Sequence, residues 1–353
     1  MDLGRVDGKR RRRTFYGETR RAVQEQLAPA VAARVGGDTS SGRTQTLAAF
    51  LSRWIEDAPV RTRTRDHYRL NLERHVVPTL GRIPLQKLTA QHVNALLQAK
   101  MRAGLSPQSV HHVRAVLRNA LGRAMKWNLI ARNPAALADP PRVEQYQAAY
   151  LTVDGARAFL EAAKGDRLEA LYSVALGLGL RQGEALGLSW PDVDLDTGTL
   201  RVSHSLQRIK GGGLQLLEPK TRQSRRALAM PESLTRQLRA HRARQLEERV
   251  FAGDLWQDSG LVFTTLQGRP LGASHVVNGS FRRIARAAGA PAGLRFHDLR
   301  HSCASLLLAQ GVAARTVMDV LGHSTIAMTA RYQHVASALM GEAAKAMDRA
   351  LGS

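Results

Sequence analysis

The sequence predicts a mainly α-helical protein with a small antiparallel β-sheet in its C-terminal domain. Three observations predict it. Apolar residues recur at helical spacing between residues 47 and 121 and again beyond residue 152. Leu200 to Ile209 instead alternates with a period near two, the glycines Gly211 to Gly213 turn the chain, and Leu214 to Leu217 returns. Between the two helical regions, Pro134, Pro140 and Pro141 punctuate a stretch that reads as a linker.

Four segments follow from this pattern. Residues 1–43 are Arg-rich and carry five consecutive basic residues, Lys9, Arg10, Arg11, Arg12 and Arg13. The run fits a solubilising tail or a phosphate-contacting arm, and residues 14–33 fit a short strand and a helix. Residues 44–132 predict a helical bundle. Leu47, Phe50, Leu51, Trp54 and Ile55 mark its first helix, and residues 63–75 its second. The third follows the cap Thr89, and the fourth follows Ser106 with Pro107 in first position. The faces opposite the apolar stripe carry Arg65, Arg69, Arg74, Lys100, Arg102, Arg114, Arg118 and Arg123. Such faces can grip a duplex without reading much sequence. Residues 133–149 form the linker. Residues 150–353 form a larger domain that opens on the cap Thr152, with helices to Ala163 and over 168–178. Arg226 to Met230 adds a third strand to the sheet.

Charge points to the partner. Lys and Arg total 52 against 29 acidic residues, a formal net charge of +23. That excess favours a polyanion. No apolar run is long enough to span a bilayer, and no apolar region follows the N-terminal basic residues as in a signal peptide. The single cysteine, Cys303, allows no internal disulfide and no cysteine-based metal site. Aromatic residues make up only 5% of the chain. Single-strand binders need aromatic platforms, so duplex DNA held by its phosphates is the better fit. A soluble protein of the cytoplasm, associated with the nucleoid, is expected.

The larger domain holds the groups needed to break a phosphodiester. Cations must meet the nonbridging oxygens, and a planar guanidinium does so bidentately. A nucleophile must attack in line while an acid protonates the leaving oxygen. Arg181 lies in GLRQGEALGL, at the opening of a helix. His297 and Arg300 lie in HDLRHS, one helical turn apart. His323 and Tyr332 lie in LGHSTIAMTARYQHV. Each motif alone is weak.

Together these segments resemble, in order and spacing, the tyrosine recombinase (phage integrase) family. The resemblance covers about residues 44–350. It implies a helical core-site-binding domain and a mixed α+β catalytic domain that form a clamp around DNA. It implies that Arg181 and Arg300 hold the scissile phosphate, and that His297 and His323 bond its oxygens and manage protons. It implies that Tyr332 attacks and becomes linked to the 3′ phosphate. Lys220, in EPKTRQSRR, matches the family's general acid, with Lys210 as competitor. Glu184 resembles a buried acidic residue that supports the site, although a plain salt bridge fits its position equally. No metal and no cofactor is implied. Residues 9–33 resemble only the last strand and helix of an arm-site-binding domain, so either a truncated domain or a linker helix with a basic lead is expected. The C-terminal helix, about 336–351, fits docking on its own domain or on a neighbouring subunit of a homotetramer. Partners implied are duplex DNA at core and arm sites and an accessory bending or directionality factor. The alternatives are a resolvase, a transposon-borne recombinase, a type IB topoisomerase and an inactive DNA-binding protein.

Overall fold

The fold was analysed in a computed structural model. It describes residues 2–6, 9–12, 14–16, 19, 23–24, 45–144, 149–209, 211–219 and 225–322. The chain divides into two compact units, Met1–Gln145 and Tyr146–Ser353.

In the first unit, β1 (Asp2–Val6) and β2 (Lys9–Arg12) pair antiparallel, with Val6 opposite Lys9 and Asp2 opposite Arg12. Most of the basic run is therefore one strand of a hairpin rather than a free tail. The intervening Asp7-Gly8 is the kind of dipeptide that hairpin connections favour. Arg13 and most of residues 14–33 lie outside the described residues.

Four helices build the bundle. They are α1 (Leu47–Asp57), α2 (Thr62–Asn71), α3 (Ala90–Arg102) and α4 (Pro107–Lys126). Side chains set their starts. Thr46 Oγ1 accepts from the Ala49 N–H at 3.3 Å, Thr89 Oγ1 from His92 at 3.3 Å and Ser106 Oγ from Ser109 at 3.2 Å. Helix α2 runs on through a wider π-helical turn, Leu72–Val76, to Leu80. Pro78 explains the widening, because it lacks the N–H that the carbonyl one turn earlier would need. The apolar stripe read from the sequence is the core: Leu47, Phe50, Val93, Val110, Leu117 and Leu121 are fully buried.

Within the linker expected over 133–149, Pro134–Leu137 is helical. Asn133 Oδ1 accepts from the Ala135 and Ala136 N–H groups at 3.0 and 3.2 Å, and its Nδ2 donates to the Arg118 carbonyl at 2.8 Å. This cap starts a short helix, α5 (Pro134–Leu137), whose Ala135 is buried in the bundle core. Pro134 opens that helix instead of breaking the chain.

The second unit packs helices around an aromatic cluster. Thr152 caps α6 (Val153–Ala163), accepting from Gly155 at 3.1 Å. Helix α7 (Glu169–Gly177) is buried on every side, as its continuous apolar sequence requires. Phe159 and Tyr172 stand edge to face at 5.8 Å, and Phe281 and Phe296 close the cluster at 5.7 Å.

The strands differ from the single sheet expected. β3 (Val193–Asp194), β4 (Thr199–Val202) and β7 (Arg226–Ala229) form one antiparallel sheet. β5 (Ser205–Ile209) and β6 (Gly213–Leu217) form a separate hairpin. The third strand thus pairs with β4, Leu200 facing Leu228, and not with the hairpin. The period-two run breaks at Ser203, whose hydroxyl donates to Asp192 Oδ1 at 2.7 Å and turns the chain out of the first sheet.

Among the described residues, the other α-helices of this unit are α8 (Gln182–Leu186), α9 (Glu232–Ala252), α10 (Ala273–Val276, continuing to Ala287), α11 (Asp298–Ala309) and α12 (Ala314–Leu321). Helices α11 and α12 pack through Cys303, Ala304, Leu308, Val317 and Leu321.

Candidate active site

Three guanidinium groups from separate parts of the chain meet at the C-terminal end of α12. Arg226 Nε donates to the Val320 carbonyl at 2.6 Å. Arg300 Nη2 donates to the Leu321 carbonyl. Arg181 Nη2 donates to the Gly322 carbonyl at 3.2 Å. The last carbonyls of a helix lack partners within the helix and carry partial negative charge, so cations there are favourable. Gly322 closes the helix in the left-handed region, φ 65°, which glycine adopts without strain. The next residue in the chain is His323.

Glu184 organises two of the three arginines. It sits two residues inside α8 and reaches back to the Arg181 N–H at 3.0 Å, as a third-position acid does at a helix start. Its Oε1 accepts from Arg181 Nη1 at 2.7 Å, and its Oε2 from Arg226 Nη2 at 3.0 Å. Burial pushes the Glu184 carboxyl up, but Arg226 and then Arg181 outweigh it and hold the group below the usual carboxylate range. Glu184 and Arg226 are nearly closed to solvent, with side chains 5% and 7% exposed, whereas Arg181 is 34% exposed. Arg181 is the member that faces solvent. Three cations against one carboxylate leave the cluster net positive, which suits a phosphate.

Arg300 and His297 lie at the start of α11, His297 at the capping position. Arg300 is 3% exposed, and its Nη1 donates to the Gly179 carbonyl at 2.7 Å. Asp298 is fully buried and holds the preceding loop. Its carboxylate accepts from the Arg295 N–H at 2.8 Å and from that guanidinium at 2.8 and 3.0 Å. Burial, then the neighbouring Arg300, lowers the His297 imidazole below its ordinary range. A neutral imidazole can donate to a nonbridging oxygen and can accept a proton as negative charge arrives. The His301 ring stands edge to face against His297 at 5.3 Å.

The glycines of GLRQGEALGL allow this close assembly. A Cβ on Gly183 would stand 2.5 Å from Ser205 Oγ, and one on Gly187 2.7 Å from the Leu206 nitrogen. Four-residue spacing puts both glycines on one face of α8, so the β5–β6 hairpin rests against bare backbone.

The structure thus gathers Arg181, Glu184, Arg300 and the loop carrying His297 around one turn. Lys220, its competitor Lys210, His323, Tyr332 and the C-terminal helix lie outside the described residues. Arg226 is a residue that the sequence does not single out, being one of several basic side chains in EPKTRQSRR.

In the first unit, Arg118 is exposed and lines a cleft with Arg123, Lys126 and Trp127. Arg69 is paired with Glu56 at 2.8 Å, and Arg65 donates to the Ala58 carbonyl at 3.1 Å. The expectation that Arg114 joins the exposed basic face is corrected. It is 8% exposed and donates to the Ala138 and Ala136 carbonyls at 3.0 and 3.1 Å. It lies one turn after Val110 and one turn before Leu117, on the apolar stripe, and fastens α5 to α4.

Comparison with known proteins identifies the family. Residues 149–338 match the Phage integrase family, and residues 46–101 match the phage integrase N-terminal SAM-like domain. The chain is 29% identical over 395 residues to an integrase of Saccharopolyspora erythraea, covering 96% of this chain and 90% of that protein. Its fold is similar to that of the Tn1549 transposon integrase in complex with a circular intermediate DNA. There the TM-score is 0.69 at 24% identity, over 84% of this chain and 99% of the other. It is also similar to the lambda integrase tetramer bound to a Holliday junction, with TM-score 0.59 at 20% identity, over 92% and 89% of the two chains. The chain belongs to the phage integrase family. It is a tyrosine recombinase, an enzyme that transfers DNA strands.

Proposed function

We propose that Tyr332 attacks a DNA phosphate clamped by Arg181 and Arg300, and that the resulting 3′-phosphotyrosine link serves to integrate or excise a mobile element. The observation that carries the assignment is the convergence of both guanidiniums on the carbonyls of residues 321 and 322, directly before His323 in the chain.

The chemistry is a pair of transesterifications. The phenol oxygen bonds to phosphorus as the bond to the 5′ oxygen breaks, and Lys220 supplies the proton that the leaving oxygen takes. A free phenol titrates near about 10, and cationic neighbours favour its phenolate. Arg181 and Arg300 neutralise the nonbridging oxygens as charge builds in the transition state. His297 and His323 bond the same oxygens and carry protons. The phosphotyrosine conserves the phosphodiester bond energy, so a 5′ hydroxyl from another strand reverses the step and completes the exchange.

The helical first unit grips core-site duplex, and Lys9–Arg13 contact phosphates at arm sites. Four copies assemble on the recombining sites, as the lambda tetramer on its junction supports. An accessory bending or directionality factor completes that assembly, which acts on DNA in the cytoplasm.

A nicked duplex bearing the element's junction sequence tests the assignment. The wild-type chain is expected to form a covalent 3′ adduct, and Tyr332→Phe to form none while still binding the duplex. An adduct formed by Tyr332→Phe would remove the nucleophile assignment.

A further inference from the structure

We propose that Arg226 is a positioning residue for strand cleavage, closing a ring of hydrogen bonds that orients Arg181 and the turn entering His323. The proposal rests on the recombinase reading above and extends it to a side chain that has no place in that mechanism.

The ring can be followed bond by bond. Arg226 Nη2 donates to Glu184 Oε2, and Glu184 Oε1 accepts from Arg181 Nη1. Arg181 Nη2 donates to the Gly322 carbonyl. Two residues back along the chain, the Val320 carbonyl accepts from Arg226 Nε and closes the ring. Arg226 is the first residue of β7, paired with Val202 across the sheet, so its backbone is anchored. The strand follows directly after the segment that contains Lys220.

Geometry separates this from an ordinary buried ion pair. Both ends of the ring are parts of the site: the guanidinium that faces solvent, and the helix end from which His323 follows. Without Arg226, Glu184 is a buried carboxyl group with Arg181 as its remaining partner among these three groups. The Arg181 guanidinium is then drawn toward the carboxylate. A lysine cannot restore the ring, because one ammonium point charge cannot present two fixed donors to a carbonyl and a carboxylate at once. A neutral side chain at 226 therefore misplaces the phosphate clamp without removing any group that touches DNA.

The test uses the full chain, a nicked junction duplex and the same duplex with a methylphosphonate at the scissile position. The methylphosphonate is uncharged and has less need of a well-placed cation. On the natural phosphate, Arg226→Gln is expected to slow single-turnover adduct formation about 100-fold, the scale of losing one transition-state donor. Duplex affinity should stay within about threefold, because binding is spread over many phosphates. Arg226→Lys should recover only part of the rate. On the methylphosphonate the Arg226→Gln penalty should shrink to about tenfold or less, as expected when the lost interaction is with phosphate charge. An equal penalty on both substrates overturns the proposal, as does an unchanged rate. So does a loss of affinity and melting temperature in step with the rate. If Arg226→Gln is unfolded at the assay temperature, Arg226→Lys carries the same two-substrate comparison. A wild-type chain that forms no adduct defeats the recombinase reading itself, which is a different failure.

Discussion

Gly179 and Leu321 meet with no room between them: a Cβ built on Gly179 would stand 2.3 Å from Leu321 Cδ2. The same glycine has φ 61°, and its carbonyl receives the Arg300 guanidinium at 2.7 Å. Gly179→Ala therefore combines left-handed strain with overpacking, at a cost of about 2–4 kcal/mol. Denaturant unfolding should register that loss, and a wild-type midpoint would contradict the contact.

Arg300→Ala should separate chemistry from binding. Its guanidinium is buried at the site, whereas duplex affinity is distributed over many phosphates. Adduct formation is expected to fall by about 100- to 1,000-fold, and duplex affinity by less than about threefold. Rate and affinity falling together would make Arg300 a binding residue only.

Arg114 and Arg118 are four residues apart on α4 and should behave oppositely. Arg114→Ala strands the buried Ala138 carbonyl and frees the part-buried Ala136 carbonyl, and should cost the first unit about 1–3 kcal/mol. The slope of log affinity against log salt should not change. Arg118→Ala should leave the melting temperature alone and reduce that slope by about one phosphate contact. Titrations at several salt concentrations distinguish the two.

Acid should weaken the second unit through its histidines. Burial, then the adjacent His297, pushes His301 down to about 4. Burial also lowers His241, whose ring nitrogen bonds the Val262 carbonyl at 2.8 Å. These groups are neutral when folded, and the unfolded chain binds their protons first. The stability they contribute is present above about pH 6.5 and is lost as pH falls from there toward about 4. Thermal unfolding across that window should show a falling midpoint, with a shallower fall in His301→Gln. An identical pH profile in that variant would contradict the assignment.

Helices were the most legible part of the sequence, because period and caps report a local fact. Thr89, Ser106 and Thr152 each cap the helix they precede, and the stripe from Leu47 to Leu121 is core. Strand pairing was less legible. Alternation says which face of Leu200 is buried, but it does not reveal that Leu228 lies opposite. Arg114 is buried because its place between Val110 and Leu117 puts it on the apolar side, a spacing that its charge masks in the sequence. At the site, Arg181, His297 and Arg300 stand out only when their motifs are taken together in order and spacing. Arg226 does not stand out, since its partners lie 42 residues upstream and 94 downstream.

That long reach has a consequence for the newborn chain. The turn at 320–322 is held by Arg181 from 141 residues before it and by Arg226 from 94 residues before it, so no early fragment of the polypeptide can complete it. Contacts of such separation are late events in folding. The turn that gathers the three guanidiniums is therefore set only after the chain has been made at least as far as Gly322.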